Sequence, residues 1–269
     1  MELNELRKKY KSIDHCDIMQ DLNLVVSNLC KVSLEDIQPF MNISEDKVKK
    51  IEKCMTKHLK GIPIQKIIGY SIFSDCFIPY SKKTLTPRME TELLVEKVLE
   101  IVGDRKLDIL DLCTGSGCIA IALAKKSKSR IVAGDISRFA VKQAKRNADL
   151  NDVSIEVIKT DMFSNINEKF DIIVCNPPYI PEKEYATLAR DVRVYDPKLA
   201  LVAQDNGLKF YHLLSQVGYN YLNKGGKLVL EIGYNQGAEV KELLLQNFQN
   251  VEVIKDYSNN DRIVIAEWN

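Results

Sequence analysis

The chain has 269 residues, enough for a full α/β domain with a smaller partner, and 45% hydrophobic with 28% charged residues is the balance of a globular protein that buries its own core. Lys+Arg number 38 against Asp+Glu 37, so no global field draws the chain to nucleic acid. Seven cysteines (16, 30, 54, 76, 113, 118 and 175) and three histidines (15, 58 and 212) are scattered without metal-ligand or disulfide spacing. No apolar run approaches the ~20 residues of a membrane span, and the first residues lack the apolar core of a signal peptide. The expectation is a reduced, cytoplasmic protein with no metal.

Residues 1–65 read as a small helical bundle. Leu22, Val25, Val26 and Leu29 fall on one face at helical spacing. Ser33-Leu34-Glu35-Asp36 reads as a capping box opening a short helix that Pro39 closes. Ser44 is placed to cap a further helix whose apolar face is Val48, Ile51, Met55 and Leu59, ended by Gly61 and Pro63. Residues 66–84 change to β-branched and aromatic types, including Ile67, Ile68, Tyr70, Phe73 and Phe77, which predicts a β-hairpin linker.

From residue 85 to 269, strand and helix signals alternate. Strands are predicted at Asp108–Leu112, Arg130–Asp135, Ser154–Lys159, Phe170–Cys175, Lys227–Ile232, Val251–Lys255 and Arg262–Glu267, with helices near 90–102, 117–126, 137–150, 207–222 and 236–247. Such alternation specifies a mostly parallel sheet covered on both faces. Asp256–Asp261 is too short for a crossover helix, so the last strand must run antiparallel.

The first of these strands runs through Asp111 and Leu112 into Cys113-Thr114-Gly115-Ser116-Gly117, a glycine turn at a helix start. Such a turn brings backbone N–H groups close to a ligand. Asp135, ending the next strand, is placed for a carboxylate that accepts ribose hydroxyls of a nucleoside cofactor. At a third strand end, Asp161 is a candidate acceptor for an adenine amino group, flanked by Met162 and Phe163. Taken alone, this turn fits a dinucleotide as well as any other nucleoside.

Asn176-Pro177-Pro178-Tyr179 follows the strand 170–175 at the end where open α/β sheets bind ligands. An amide or aromatic amino nitrogen is a poor nucleophile because its lone pair is delocalised. The Asn176 side-chain carbonyl and the Pro177 backbone carbonyl are two acceptors for its N–H hydrogens, able to align the lone pair with a donated methyl group. Pro177 and Pro178 supply carbonyls without competing donors, and Tyr179 offers a flat face to a planar group. The pattern points to S-adenosylmethionine-dependent methylation of a planar nitrogen.

The ordered set of these motifs resembles the HemK-type protein-(glutamine-N5) methyltransferases that modify peptide chain release factors. Besides the loop 110–117, Asp135 and Asn176–Tyr179, it rests on Gln65–Gly69, Thr84–Glu92, Asp191–Arg193, Asp196-Pro197, Glu231–Gly233 and Asn260–Arg262. The resemblance implies a class I S-adenosylmethionine-dependent methyltransferase fold: a seven-stranded, mostly parallel sheet with the last strand antiparallel, and a small N-terminal helical domain. It implies that residues 1–65 bind the release factor. It implies a substrate glutamine in a Gly-Gly-Gln loop, held by Asn176, Pro177, Pro178 and Tyr179 with Arg88 on the substrate side. S-adenosylmethionine would contact residues 113–117, Asp111, Asp135, Asp161, Met162, Phe163 and Asn176. Cys113, Met162 and Asp196 depart from the usual residues of the family.

Three rivals share parts of the pattern. A nucleic-acid amino-group methyltransferase uses the same Asn-Pro-Pro-Tyr chemistry but needs a basic, aromatic-lined face, and the first 84 residues carry only a modest basic surplus. An NAD-dependent oxidoreductase leaves Asn176–Tyr179 without a role. A non-catalytic adaptor leaves Asp135 and the amide-holding motif without one. Release factors are therefore the expected partners, with no membrane and no stable nucleic-acid binding.

Overall fold

The computed structural model describes residues 1–13 and 17–269 and separates into two units, Met1–Tyr70 and Ser71–Asn269. His15 and Cys16 lie outside the described residues. The first unit holds α1 (Leu3–Lys11), α2 (Ile18–Cys30), α3 (Glu45–Leu59) and α4 (Ile64–Ile68). Leu22, Val25 and Val26 of α2 pack with Val48, Ile51 and Met55 of α3 and with Leu3 and Leu6 of α1. Helical periodicity thus turns one stripe of each helix inward. His58 near the end of α3 bonds Asp21 on α2 through Nε2 at 2.8 Å, and its Nδ1 meets the Ile62 carbonyl at 2.9 Å.

Three local expectations change here. Residues 33–39 form a turn and no helix: Ser33 Oγ accepts from the Asp36 N–H at 3.1 Å as a cap would. Pro39 leaves too few residues to offset the cost of helix nucleation. Ser44 precedes α3 in extended conformation, but its side chain makes no capping bond. Ile67 and Ile68 end α4, and the hairpin is confined to β1 (Tyr70–Phe73) and β2 (Cys76–Pro79). Its turn residues Ser74 and Asp75 both take positive φ, the twist that tight hairpins require.

The second unit continues with α5 (Glu90–Val102), β3 (Asp108–Leu112), α6 (Cys118–Lys126), β4 (Arg130–Asp135), α7 (Arg138–Leu150), β5 (Glu156–Lys159) and β6 (Phe170–Cys175). A short parallel pair, β7 (Ile180–Pro181) and β8 (Val202–Ala203), encloses α8 (Arg190–Tyr195). Then come α9 (Lys209–Val217), β9 (Leu222–Glu231), α10 (Gly237–Leu244), β10 (Gln249–Lys255) and β11 (Asp261–Glu267). Seven strands form one sheet in the order β10-β11-β9-β6-β3-β4-β5, and β11 alone is reversed, pairing antiparallel with both β9 and β10. The turn before β11 is built by Asp256, whose carboxylate accepts from the Ser258 and Asn260 N–H groups at 2.9 and 3.0 Å and from Arg262.

Both faces of the sheet are covered. Ile109, Ile172 and Val174 point into one core, while Leu110, Leu112, Ile173 and Cys175 point into the other. The hairpin is held on α7 by amides: Asn147 Nδ2 donates to the Pro79 carbonyl and to the Ser116 carbonyl, each at 2.8 Å. The chain runs outward from β3 through β4 to β5, then returns to the other side of β3 as β6. That reversal leaves a crevice at the carboxyl ends of β3 and β6.

Candidate active site

The loop after β3 lies at that crevice. Gly117 has φ +83, and a Cβ there would meet the Ala144 Cβ at 2.9 Å, so only glycine lets α6 start so close to α7. Cys113 takes φ +60 despite its Cβ, which is where the family resemblance has glycine. Thr114 donates its hydroxyl to Asp111 Oδ2 at 2.5 Å, while the buried Asp111 Oδ1 has no hydrogen-bond partner. Burial pushes the Asp111 carboxyl up to about 7. Asp111, Thr114 and Ser116 are all buried and shape the loop from behind.

Asp135 closes the loop over the end of β4. Its Oδ2 accepts from the Gly115 N–H at 2.9 Å and its Oδ1 from the Ser137 N–H at 2.8 Å. Burial raises its pKa above the ordinary value, and the two backbone bonds oppose that rise. An ionised carboxylate offers about four acceptor positions, so two remain for a ligand.

A cavity of about 560 Å³ opens along this edge. Cys113, Gly115, Asp135, Asp161, Met162, Asn176 and Pro178 line it, with Leu85, Phe210 and Leu213 among its apolar wall. A second cavity of about 330 Å³ is lined by Arg88, Glu90, Tyr179, Glu231 and Arg262 among others. Leu85, Asn176 and Ala200 line both, so Asn176 stands at the junction of the two spaces. The larger volume lies within the range of pockets that enclose small-molecule ligands. Its mix of apolar wall, one carboxylate edge and a glycine approach suits a nucleoside with an apolar-lined base. A nucleoside-bearing methyl donor fits the residues present.

Not every expected residue reaches these spaces. Asp111, Thr114, Ser116 and Gly117 line neither cavity and act through the loop they hold. Phe163 is displaced from the role expected for it: it stacks on Tyr221 in the core, ring centroids 4.2 Å apart and 7° from parallel. Its neighbour Met162 takes φ +47, which directs the two side chains apart. Met162 reaches the cavity, with its Sδ 3.8 Å from Cys113 Sγ. Pro177 is buried, and it lines neither cavity. Arg88 lines the smaller cavity, but its guanidinium is already engaged with Asp196 Oδ2 at 2.5 Å. Asp196 in turn accepts from the Thr86 N–H and hydroxyl at 3.2 and 2.7 Å, fastening the segment 84–88 over the site.

Three residues of the site carried no assigned role in the sequence reading. Gln236 Nε2 donates to the Tyr179 carbonyl at 3.1 Å while its Oε1 accepts from the Gly233 N–H at 2.9 Å, clamping the end of the Asn-Pro-Pro-Tyr turn. Thr91, in the first turn of α5, accepts from Asn176 Nδ2 at 3.2 Å. Glu231 ends β9 buried beside both, and its acid among Leu228, Val229 and Leu230 is the signal that marks it. Burial pushes the Tyr179 hydroxyl up to about 12, so it stays neutral.

Comparison with known proteins places this geometry. A family model described as a methyltransferase small domain matches residues 80–196. A release factor glutamine methyltransferase of Bacillus cereus is 38% identical over 258 residues, covering 91% of this chain and 90% of the relative. One from Aquifex aeolicus is 36% identical, covering 99% of this chain and 96% of the relative. Among solved structures, a Thermus thermophilus 16S rRNA N2 G1207 methyltransferase in complex with AdoMet and guanosine aligns with a TM-score of 0.54 at 19% identity, over 74% of this chain and 50% of that one. At that identity the likeness concerns the fold, which is the class I S-adenosylmethionine-dependent methyltransferase fold, with the strand order and reversed last strand described above.

Proposed function

We propose, from the premise that this chain belongs to the release factor glutamine methyltransferase family, that it transfers a methyl group from S-adenosylmethionine to the side-chain nitrogen (N5) of a release-factor glutamine. The observation that carries the reading is Asn176 at the junction of the two cavities. The cofactor supplies an electrophilic methyl group, and the larger cavity with Asp135 and the loop 113–117 is the space for it. The glutamine amide, presented on a Gly-Gly-Gln loop, enters from the smaller cavity, where Tyr179 packs on its plane.

Asn176 Oδ1 then accepts one amide N–H, and the Pro177 carbonyl is the second acceptor. As the methyl group transfers, positive charge grows on nitrogen and its hydrogens become more acidic, so these bonds strengthen toward the transition state. The extra proton leaves to water once the nitrogen is alkylated.

The first unit is the proposed docking element for the release factor. It carries Phe40 and Leu34 exposed, two apolar side chains outside its own core. No helix among the described residues is long and apolar enough to cross a membrane. A translation factor as substrate fits a cytoplasmic enzyme.

The test uses labelled S-adenosylmethionine with a release factor, and separately with tRNA or DNA. The label is expected on one glutamine side-chain nitrogen by site-resolved mass spectrometry. Asn176→Ala is expected to lower kcat by ~10²–10³, the usual effect of losing one preorganised hydrogen bond, with cofactor affinity within a few-fold. A methyl group found only on a nucleic-acid base refutes the reading, as does a fully active Asn176→Ala protein.

A further inference from the structure

An asparagine side chain has two ends of nearly equal shape and opposite hydrogen-bonding sense. Methylation of an amide needs the oxygen end toward the substrate, because the nitrogen end would set N–H against N–H. Something on the far side of Asn176 must fix that choice. Asn176 Nδ2 donates to Thr91 Oγ1 at 3.2 Å. A hydroxyl is both donor and acceptor, however, so this contact by itself permits either orientation of the amide.

Beyond Thr91 stands Glu231, 3% exposed at the end of β9. Glu231 stands beside Asn176 through the register of β6 with β9, its carboxylate is favoured by the Thr91 hydroxyl and the Asn176 side chain, and its Oε2 is buried with no hydrogen-bond partner. An ionised carboxylate accepts and never donates.

We propose that Glu231 is a positioning residue for the transfer: its carboxylate takes the Thr91 hydroxyl hydrogen, which leaves Thr91 Oγ1 only its acceptor role toward Asn176 Nδ2 and turns Asn176 Oδ1 to the junction of the two cavities. The proposal rests on the reading of Asn176 as the amide-holding residue. It assigns to Glu231, which also lines the smaller cavity, a task beyond contact with the glutamine.

The charge state of Glu231 therefore governs the orientation. Burial pushes its carboxyl up to about 7. Arg262 on β11 opposes that rise and Glu90 on α5 adds to it. Tyr179, Tyr211 on α9 and Cys118 on α6 also face it, each held neutral by burial. Tyr211 donates its hydroxyl to the Glu231 backbone carbonyl at 2.9 Å, which fixes the strand end. Below its pKa, Glu231 carries a proton it can donate to Thr91, and the polarity of the chain is lost. The turnover rate should thus rise as pH increases through about 7 and then level.

The experiment measures kcat against pH at saturating S-adenosylmethionine for the full chain and four variants. Burial pushes Asp111 into the same range, so the limb is assigned to Glu231 by its disappearance in Glu231→Gln. Glu231→Gln is expected to lower kcat at least about tenfold, as loss of an orienting outer partner does, with cofactor affinity unchanged and the limb near pH 7 gone. Thr91→Val should fall similarly, and Thr91→Ser, which keeps the hydroxyl, should recover most of the rate. Glu231→Gln with the parent kcat, a limb that persists in it, or Thr91→Val equal to Thr91→Ser overturns the proposal. Asn176→Ala separates the two readings: if it is inactive while Glu231→Gln behaves as the parent, only the orienting role falls. If Asn176→Ala is fully active, the amide-holding reading falls and this one with it.

Discussion

Replacing Asp135 by alanine tests whether the larger cavity is a cofactor site. In the structure both carboxylate oxygens already bind the loop, one to the Gly115 N–H and one to the Ser137 N–H. About four acceptor positions less these two leaves a pair for the two ribose hydroxyls. A hydrogen bond to a charged group contributes roughly 1.5–3 kcal/mol. If only one such bond is lost in net terms, S-adenosylmethionine binding weakens by about 10- to 100-fold, since about 1.4 kcal/mol is a factor of ten. The loop bonds are present without ligand, so their loss lowers the stability of the free protein and is read separately as a fall in Tm.

Asp135→Asn should bind no better than Asp135→Ala, because one end of its amide would set an N–H against a backbone N–H. Titration calorimetry gives the affinity and a thermal melt gives the stability. Only the ionised carboxylate can accept all four hydrogens, and burial raises its pKa, so affinity should decline on acidification sooner than an exposed aspartate would predict. A folded Asp135→Ala protein with the parent Kd would refute the assignment of the ribose to Asp135. Tight NAD binding by the parent would turn the site over to redox chemistry.

Two further expectations follow from the burial pattern. Asp111 is raised from 3.8 to about 7 in the folded chain, so its contribution to stability is fully present below about 3.8 and is lost as pH rises through about 7. The difference in Tm between Asp111→Asn and the parent should therefore move in favour of the variant between pH 5 and pH 8, and an unchanged difference would show that the carboxyl ionises freely. A fragment of residues 71–269 contains both cavities and both sheet cores, so it should bind S-adenosylmethionine within a few-fold of the full chain yet lose most activity on intact release factor. Full activity from that fragment would remove the docking role from the first unit.

The fold was legible where one physical rule decided the element. Asp108–Leu112, Arg130–Asp135 and Phe170–Cys175 are apolar runs buried on both faces, and the structure places their ends at the predicted residues. The short connection to β11 forces a reversed strand, and β11 is reversed. Short segments failed for the opposite reason. The cap at Ser33 forms its side-chain bonds without a helix, since Pro39 stops the chain before cooperativity can act. Ile67 and Ile68 are β-branched yet helical, because α4 packs on α2 and α3 and tertiary contact outweighs so weak a propensity.

The site divides along the same line. Residues at or just beyond a strand's carboxyl end, such as Gly115, Asp135 and Asn176, follow from position in the sheet alone, because every parallel strand delivers its carboxyl end to one edge. Phe163 was misread because its direction depends on the positive φ of Met162, a local twist with no periodic signature. Thr91, Asn176 and Glu231 belong to α5, the turn after β6, and β9, and nothing in their separate segments states that they meet. What brings them together is the register in which Cys175 lies beside Leu230, so the residues after each, Asn176 and Glu231, stand as neighbours at the sheet's edge. A buried acid closing an apolar strand next to an asparagine that must not turn over is therefore a property of two strands in register, and it becomes visible only when the pairing of β6 with β9 is known.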